Sequence, residues 1–252
     1  MLIFPWSIKS AEFIVLKKEF IMSEKLIGGH RGSPEKAHEN TIESFSSAIL
    51  DGADFIEFDI RYSKDKKLIV HHNPDIDGNI LKDMDYDEIT ALSRSKGYKV
   101  PLLEDVLELC RGKIKLDIEI KEPETTEETA VKTLSVFSPD DFIITSFHDS
   151  VITKINNNFK QLKKGLLFDD STKDNLRERV IDLRPDFILP DFKNFDFTVN
   201  ELIPSIPFSI KAIYWGVDTS DGMRKTLKND FTRGIISDFP GKAVRENLYI
   251  KG

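Results

Sequence analysis

From Leu26 onward the sequence predicts an α/β chain closed into a (β/α)8 barrel, one domain spanning 26–252. Three observations predict it. Short β-rich runs alternate with amphipathic helical stretches, the pattern of a parallel sheet. No internal repeat, low-complexity tract or Pro/Gly-rich linker divides the chain. Chargeable residues gather where the β-rich runs end, which is where a barrel of this kind places its reactive groups.

The strand candidates, in order, are Leu26–His30, Phe55–Ile60, Leu68–His72, Lys113–Ile120, Phe142–Ser146, Gly165–Phe168, Phe187–Pro190, Ile210–Val217 and Gly234–Ser237. Helical patterns lie between most of them: Thr41–Leu50, Leu103–Cys110, Glu127–Phe137, Ser150–Asn158, Thr172–Leu183, Thr198–Ile203, Asp221–Lys228 and Lys242–Asn247. This is one strand more than eight strand–helix units require. Only "RYSKDKK" separates Phe55–Ile60 from Leu68–His72. That is too short for a parallel crossover, so one of the two is read as a short antiparallel or marginal strand.

Composition narrows the class. A chain of 252 residues, 40% hydrophobic, buries most of its apolar surface without disulfide or metal staples. Cys110 is the single cysteine, so no internal disulfide forms, in keeping with a reducing, cytoplasmic setting. A net charge of −7 repels phosphate backbones and argues against nucleic acid as a partner. No apolar run reaches the roughly 18 residues of a transmembrane segment. Residues 1–25 hold two short apolar runs, "MLIFPW" and "AEFIVL", broken by Lys9, Glu12, Lys17, Lys18 and Glu19. A secretory signal needs positive charge first and then an unbroken apolar core. The segment is therefore read as an N-terminal extension. The sequence leaves the oligomeric state open.

The strand ends carry the chemistry. His30 and Arg31 follow the first strand, and His71 and His72 end "LIVHH". Glu57 and Asp59 lie two apart in "FIEFDI", so they point to one side of their strand. Asp117, Glu119 and Lys121 form a second such row in "IKLDIEIK". Barrel interiors are otherwise Val, Ile and Leu, and inward carboxylates are costly without a cation. Oxygen donors of this kind suit Mg2+ or Ca2+. Taken singly, each group has a plainer reading. Glu-x-Asp is common on solvent faces, His30 could be a satisfied core histidine, and Asn40 or Thr41 could merely start a helix. Their conjunction at strand ends is what chance does not explain. His71 and His72 are neighbours and face opposite ways, so at most one of them enters a site.

In order and spacing, "GGHRGSPEKAHENTIESF", "GADFIEFDIRYSKDKKLIVHHNP", "VPLLEDVLEL", "LDIEIK", "ITSF", "YWGVDT" and "GIISDFPG" resemble the glycerophosphodiester phosphodiesterases. The resemblance runs from Leu26 to Glu246. It implies a TIM barrel that hydrolyses glycerophosphodiesters to glycerol 3-phosphate and an alcohol, with one divalent cation. Carried over by position, it implies Glu57, Asp59 and Glu119 as metal ligands and His30 and His72 as the acid–base pair. It implies Arg31 as the phosphate partner, supported by Glu39 and Lys121, and Trp215 at the rim that receives the alcohol. It further implies attack by the substrate's own 2-hydroxyl, with His30 expected as base and His72 as acid. Asn73 stands where the family usually has Asp, "PDIDGNI" lacks the family's Leu-x-Arg-Thr, and "WGVDT" replaces Trp-Thr-Val-Asn. The Pro74–Pro101 connection is short, which leaves the site open to larger head groups.

Two other readings fit the same barrel. One is a lysophospholipase D-type phosphodiesterase. The other is a catalytically silent barrel that binds phosphorylated ligands, against which the full set of histidines and carboxylates argues. A two-metal zinc hydrolase needs more histidine ligands than five comfortably supply.

Overall fold

The structure, a computed structural model, describes residues 25–251. The extension read over 1–25 lies outside the described residues, apart from Lys25. In chain order the strands are β1 (Leu26–Gly29), β2 (Phe55–Tyr62), β3 (Leu68–Val70), β4 (Asp75–Ile76), β5 (Asn79–Ile80), β6 (Lys115–Ile120), β7 (Phe142–Ser146), β8 (Lys163–Phe168), β9 (Phe187–Pro190), β10 (Lys211–Trp215) and β11 (Thr232–Ser237). Eight of them form a closed parallel cylinder in the order β1, β2, β6, β7, β8, β9, β10, β11, with β11 returning to β1. This is a TIM barrel.

The surplus strand is β3. It pairs antiparallel with the far end of β2, Ile60 opposite Val70 and Tyr62 opposite Leu68. β1 leaves that edge of β2 vacant, because its pairing stops at Gly29 opposite Ile56. β3 thus sits on the rim above the cylinder and brings His71 and His72 to the mouth.

The helices are α1 (Ile42–Leu50), α2 (Tyr86–Ser95), α3 (Leu103–Cys110), α4 (Thr126–Leu134), α5 (Asp149–Asn158), α6 (Leu176–Leu183), α7 (Phe195–Phe197), α8 (Ile203–Ser205), α9 (Ser220–Leu227) and α10 (Pro240–Lys251). The pattern read at Thr198–Ile203 is a π-helical turn, Thr198–Leu202, between two single-turn helices. α2 has no counterpart among the sequence expectations. Its buried face is Tyr86, Ile89 and Ser93 only, too sparse an apolar stripe to announce a helix. The Pro74–Pro101 connection therefore holds a small hairpin of β4 and β5 and then α2, around a core of Ile76, Leu81, Tyr86, Ile89 and Val100.

Alternation builds both layers of the wall. Phe55, Ile143, Leu167, Leu189, Ile213 and Ile236 point into the cylinder. Ile56, Phe58, Ile60, Leu116, Ile118 and Ile120 point outward and share a shell with Leu103, Val106 and Leu107 of α3. A core Ile→Ala change in that shell, at Ile118 for example, costs about 2–5 kcal/mol. Leu26, Phe55, Phe142 and Phe187 nearly fill the N-terminal mouth, where about 20 Å3 remains. The C-terminal mouth opens into a cavity of about 510 Å3. Among the described residues, no helix is long and apolar enough to cross a membrane.

Candidate active site

The loop after β1 is shaped by backbone that few side chains tolerate. Arg31 and Asn40 both have positive φ, 53° and 55°, which carries strain for residues other than glycine. Gly32 has φ +94°, and a Cβ there would meet Ser44 Oγ at 2.4 Å, so glycine is required. The Asn40 N–H donates to the Arg31 carbonyl at 3.0 Å, closing the loop on itself. Thr41 is the N-cap of α1 and accepts from the Ser44 N–H at 3.2 Å. That frees Asn40 for another task. Its Nδ2 donates to Asp59 Oδ2 at 2.7 Å.

Three carboxylates converge beneath this loop. Glu57, Asp59 and Glu119 each offer an oxygen within 4.8 Å of the others, and all three are buried. β2 and β6 pair with Glu57 opposite Asp117 and Asp59 opposite Glu119, so both inward rows end on one wall. Lys121 Nζ donates to Glu119 Oε1 at 2.7 Å and lies 3.5 Å from Asp59 Oδ1. The Arg31 N–H donates to Glu57 Oε2 at 3.0 Å. The Arg31 guanidinium donates through Nη1 to both Glu39 oxygens at 3.0 Å, and its Nε lies 3.4 Å from Asp59 Oδ2.

The electrostatics are lopsided. Burial would raise the Asp59 carboxyl, yet Lys121, Arg31 and the Asn40 amide outweigh it and hold that group below the ordinary carboxylate range. Glu57 goes the other way, raised by burial and by repulsion from Asp59 and Glu119. Glu119 is pushed up to about 7, by burial and then by Asp59. Asp117 rises to about 8, mainly through burial, even though Thr145 Oγ1 donates to its Oδ1 at 2.6 Å. Asp59 Oδ1 is buried without a hydrogen bond. Oxygen-only donors, mutual repulsion and an unsatisfied oxygen are the conditions a hard divalent cation relieves. Glu57, Asp59 and Glu119 therefore fit such an ion.

Two histidines face the same cavity, each fixed through Nδ1. His30 Nδ1 lies 2.7 Å from Asp238 Oδ1 at the end of β11, and His72 Nδ1 lies 2.8 Å from the Asn73 side-chain oxygen. His71 bonds instead to the Asn73 carbonyl and is not among the residues lining the cavity, whereas His72 is. Burial lowers the His72 pKa, an effect that the Asp59 charge only partly offsets. Arg61 donates twice to the His72 carbonyl, from Nε at 2.9 Å and from Nη2 at 2.7 Å, and pairs with Glu122 at 3.2 Å.

The cavity brings together His30, Arg31, Glu57, His72, Glu119, Lys121 and Trp215. Asp59 lies under them, and Glu39 stands behind Arg31. Trp215 packs edge-on against Phe147 with ring centres 6.3 Å apart, and its Nε1 donates to the Leu189 carbonyl. Sequence reasoning gives no role to Asp238, Asn40 or Arg61. Asp238 falls there only within the motif "GIISDFPG", and Asn40 is marked only as a candidate cap. Nothing in the sequence marks Arg61.

Converging carboxylates, two cationic side chains and two histidines at the C-terminal mouth of a TIM barrel fit the site to an anionic ester. The model described as the glycerophosphoryl diester phosphodiesterase family matches residues 30–242, and the chain belongs to that family. It is thus an enzyme, a phosphoric diester hydrolase. Among curated relatives, the glycerophosphodiester phosphodiesterase of Caldanaerobacter subterraneus subsp. tengcongensis is 29% identical, over 90% of this chain and 98% of its own. That of Bacillus altitudinis is 26% identical, over 87% of this chain and 96% of its own. A solved glycerophosphodiester phosphodiesterase from Thermotoga maritima superimposes with TM-score 0.74 and 27% identity, covering 90% of this chain and 98% of that one. An Oleispira antarctica phosphodiesterase, solved with the product sn-glycerol-3-phosphate, shares the fold with TM-score 0.75 at 19% identity, covering 90% of this chain and 97% of that one.

Proposed function

We propose that the chain hydrolyses small glycerophosphodiesters to glycerol 3-phosphate and an alcohol, with Mg2+ or Ca2+ held by Glu57, Asp59 and Glu119 and with His30 and His72 as the acid–base pair. The observation that carries this reading is the pair of histidines, each fixed through Nδ1 and both lining the cavity that holds the carboxylate cluster. The product bound to the Oleispira antarctica phosphodiesterase is in keeping with it.

With Nδ1 engaged on both rings, Nε2 is the atom left to exchange protons with substrate. A cation held by Glu57, Asp59 and Glu119 would supply positive charge to the phosphoryl group. Arg31 and Lys121 add theirs on the same wall, where charge develops as phosphorus is attacked. Glu39 holds the Arg31 plane, and Phe147 with Trp215 gives the mouth an apolar side. A 2-hydroxyl on the substrate's own glycerol is already beside phosphorus, and intramolecular attack gains heavily from that proximity.

The two rings are backed differently. A proton on His30 faces the Asp238 carboxylate, whereas His72 has a neutral amide behind it and is pushed by burial towards its unprotonated form. We therefore assign His72 Nε2 as the acceptor of the 2-hydroxyl proton and His30 Nε2 as the donor to the leaving alcohol. This reverses the order expected from the sequence. The roles exchange when water opens the cyclic phosphate. Cys110, buried and unpaired, accords with the cytoplasm as the compartment.

The test is release of glycerol 3-phosphate from a panel of glycerophosphodiesters, with and without chelator, beside a 2-deoxyglycerol analogue of the best substrate. Chelator abolishes release, Mg2+ or Ca2+ restores it, and the 2-deoxy compound turns over orders of magnitude more slowly. Full activity in chelator, with no metal by elemental analysis, overturns the metal assignment. Equal turnover of the 2-deoxy compound overturns the internal nucleophile.

A further inference from the structure

The wall across from the phosphate-binding groups carries a charge of its own. β8 continues an inward row of Gly165, Leu167 and Asp169, because side chains alternate along a strand. Leu167 and Asp169 both line the cavity, with Ser171 and Thr172 beside them. In the strand order β8 lies diametrically opposite β1, so Asp169 faces the mouth from the side away from His30 and Arg31. The other lining carboxylates, Glu57, Asp117 and Glu119, are buried at the floor, whereas Asp169 is partly exposed.

This carboxylate is held in place by uncharged donors. The Ser171 N–H, the Ser171 hydroxyl and the Thr172 hydroxyl all donate to Asp169 Oδ1, at 2.9, 2.7 and 3.1 Å. Partial burial works to raise its pKa, but these bonds outweigh burial and lower it, so the group is ionised at neutral pH. The charged neighbours are engaged elsewhere. Lys173 pairs with Asp170. Arg179 pairs with Asp149 and donates to the Thr172 carbonyl at 2.7 Å and the Phe147 carbonyl at 3.2 Å. Arg179 thereby joins the Asp169 loop to the strand end that carries Phe147. The Phe147 ring meets Trp215 edge-on. Lys121 lies 5.8 Å from the Phe147 ring, but its charge is matched by Glu119 and Asp59.

A carboxylate with no salt-bridge partner among the described residues, lining the same cavity as the paired rings of Phe147 and Trp215, is what an ammonium ion recognises. The geometry points to a head-group subsite in which Asp169, Phe147 and Trp215 receive a cationic alcohol, a quaternary or primary ammonium such as choline or ethanolamine, in preference to a neutral polyol. The inference rests on the glycerophosphodiesterase reading above and names the substrate class within it. With the phosphate held by Arg31, Lys121 and a cation on the β1–β2–β6 wall, one ester arm extends across the mouth towards β8. Asp169 is the specificity-determining residue.

The experiment is a ratio of kcat/KM values on the full chain with its divalent cation. Glycerophosphocholine and glycerophosphoethanolamine are compared with glycerophosphoglycerol and glycerophosphoinositol. A partly exposed ion pair plus a ring contact favours the cationic pair by about 5- to 20-fold. In Asp169→Asn that ratio falls to about 1, since Asn keeps an oxygen for Ser171 and Thr172 and loses only the charge. In the unmodified protein the ratio shrinks as ionic strength rises, a readout that needs no variant. A ratio near 1 in the unmodified protein, a ratio that survives Asp169→Asn, or one indifferent to salt overturns the subsite. Failure of the underlying reading looks different: no member of the panel then yields glycerol 3-phosphate.

Discussion

Glu119→Gln, studied in chelator, should stabilise the folded protein at pH 8 and leave it unchanged near pH 4. Glu119 is buried, and its carboxyl is pushed up from 4.5 to about 7, burial first and Asp59 second. A raised folded-state pKa means that the native protein holds a proton the unfolded chain has lost. Stability therefore falls as pH rises from about 4.5 to about 7, and beyond that the full cost of ionising the buried group is present. The interval of roughly 2.5 units, at about 1.36 kcal/mol each, comes to ~3 kcal/mol. The Lys121 contact at 2.7 Å is already included, because the shift is what remains after its attraction. Gln removes the ionisation at nearly constant shape. For a chain of this size ~1 kcal/mol moves Tm by about 2–4 °C, so the variant should melt roughly 6–12 °C above the unmodified protein at pH 8. Adding Mg2+ or Ca2+ should reverse the order, because binding stabilises only the native state and the variant has lost one charged donor. Thermal and urea melts at pH 4, 6 and 8, each with chelator and with cation, measure this directly. A variant less stable than the unmodified protein at pH 8 in chelator would refute the claim that uncompensated charge dominates this cluster.

Other consequences are simpler to state. His30→Ala and His72→Ala should each give a folded protein whose glycerol 3-phosphate release is lower by about 10²–10⁴-fold, whereas His71→Ala keeps most of its activity; a dead His71→Ala would show that the wrong ring was chosen. Asn40→Ala removes the 2.7 Å bond to the buried Asp59 and places Ala at positive φ, costing about 2–4 kcal/mol in urea unfolding. Asn40→Gly relieves the backbone and should recover about 1 kcal/mol of that. Arg61→Met frees the His72 carbonyl from two donors and should lower kcat about tenfold with little change in KM, while a rise in KM alone would remove Arg61 from the support of that ring.

The barrel and the two acidic rows were legible because strand alternation is local. Glu57 with Asp59, and Asp117 with Glu119 and Lys121, share a side whatever their strands pair with. That β2 and β6 then lie adjacent, with Asp59 opposite Glu119, also follows from chain order, since β3 is too close to β2 to intervene as a parallel strand. What sequence reasoning could not supply were partners chosen by closure. His30 meets Asp238 because β11 returns beside β1, a pairing between opposite ends of the chain. α2 was missed for another reason. It packs on β3 and the hairpin rather than on the cylinder, so a narrow face suffices to bury it. Asn73 was legible as a departure from the family but not as a cause. Only the position of its side chain on His72 Nδ1, opposite a histidine backed by a carboxylate, turns that one substitution into a difference between the two rings. Asn73→Asp would favour a proton on His72 and bring the two rings closer to equivalence. With the amide in place the two rings keep different partners, a carboxylate behind His30 and a neutral side chain behind His72.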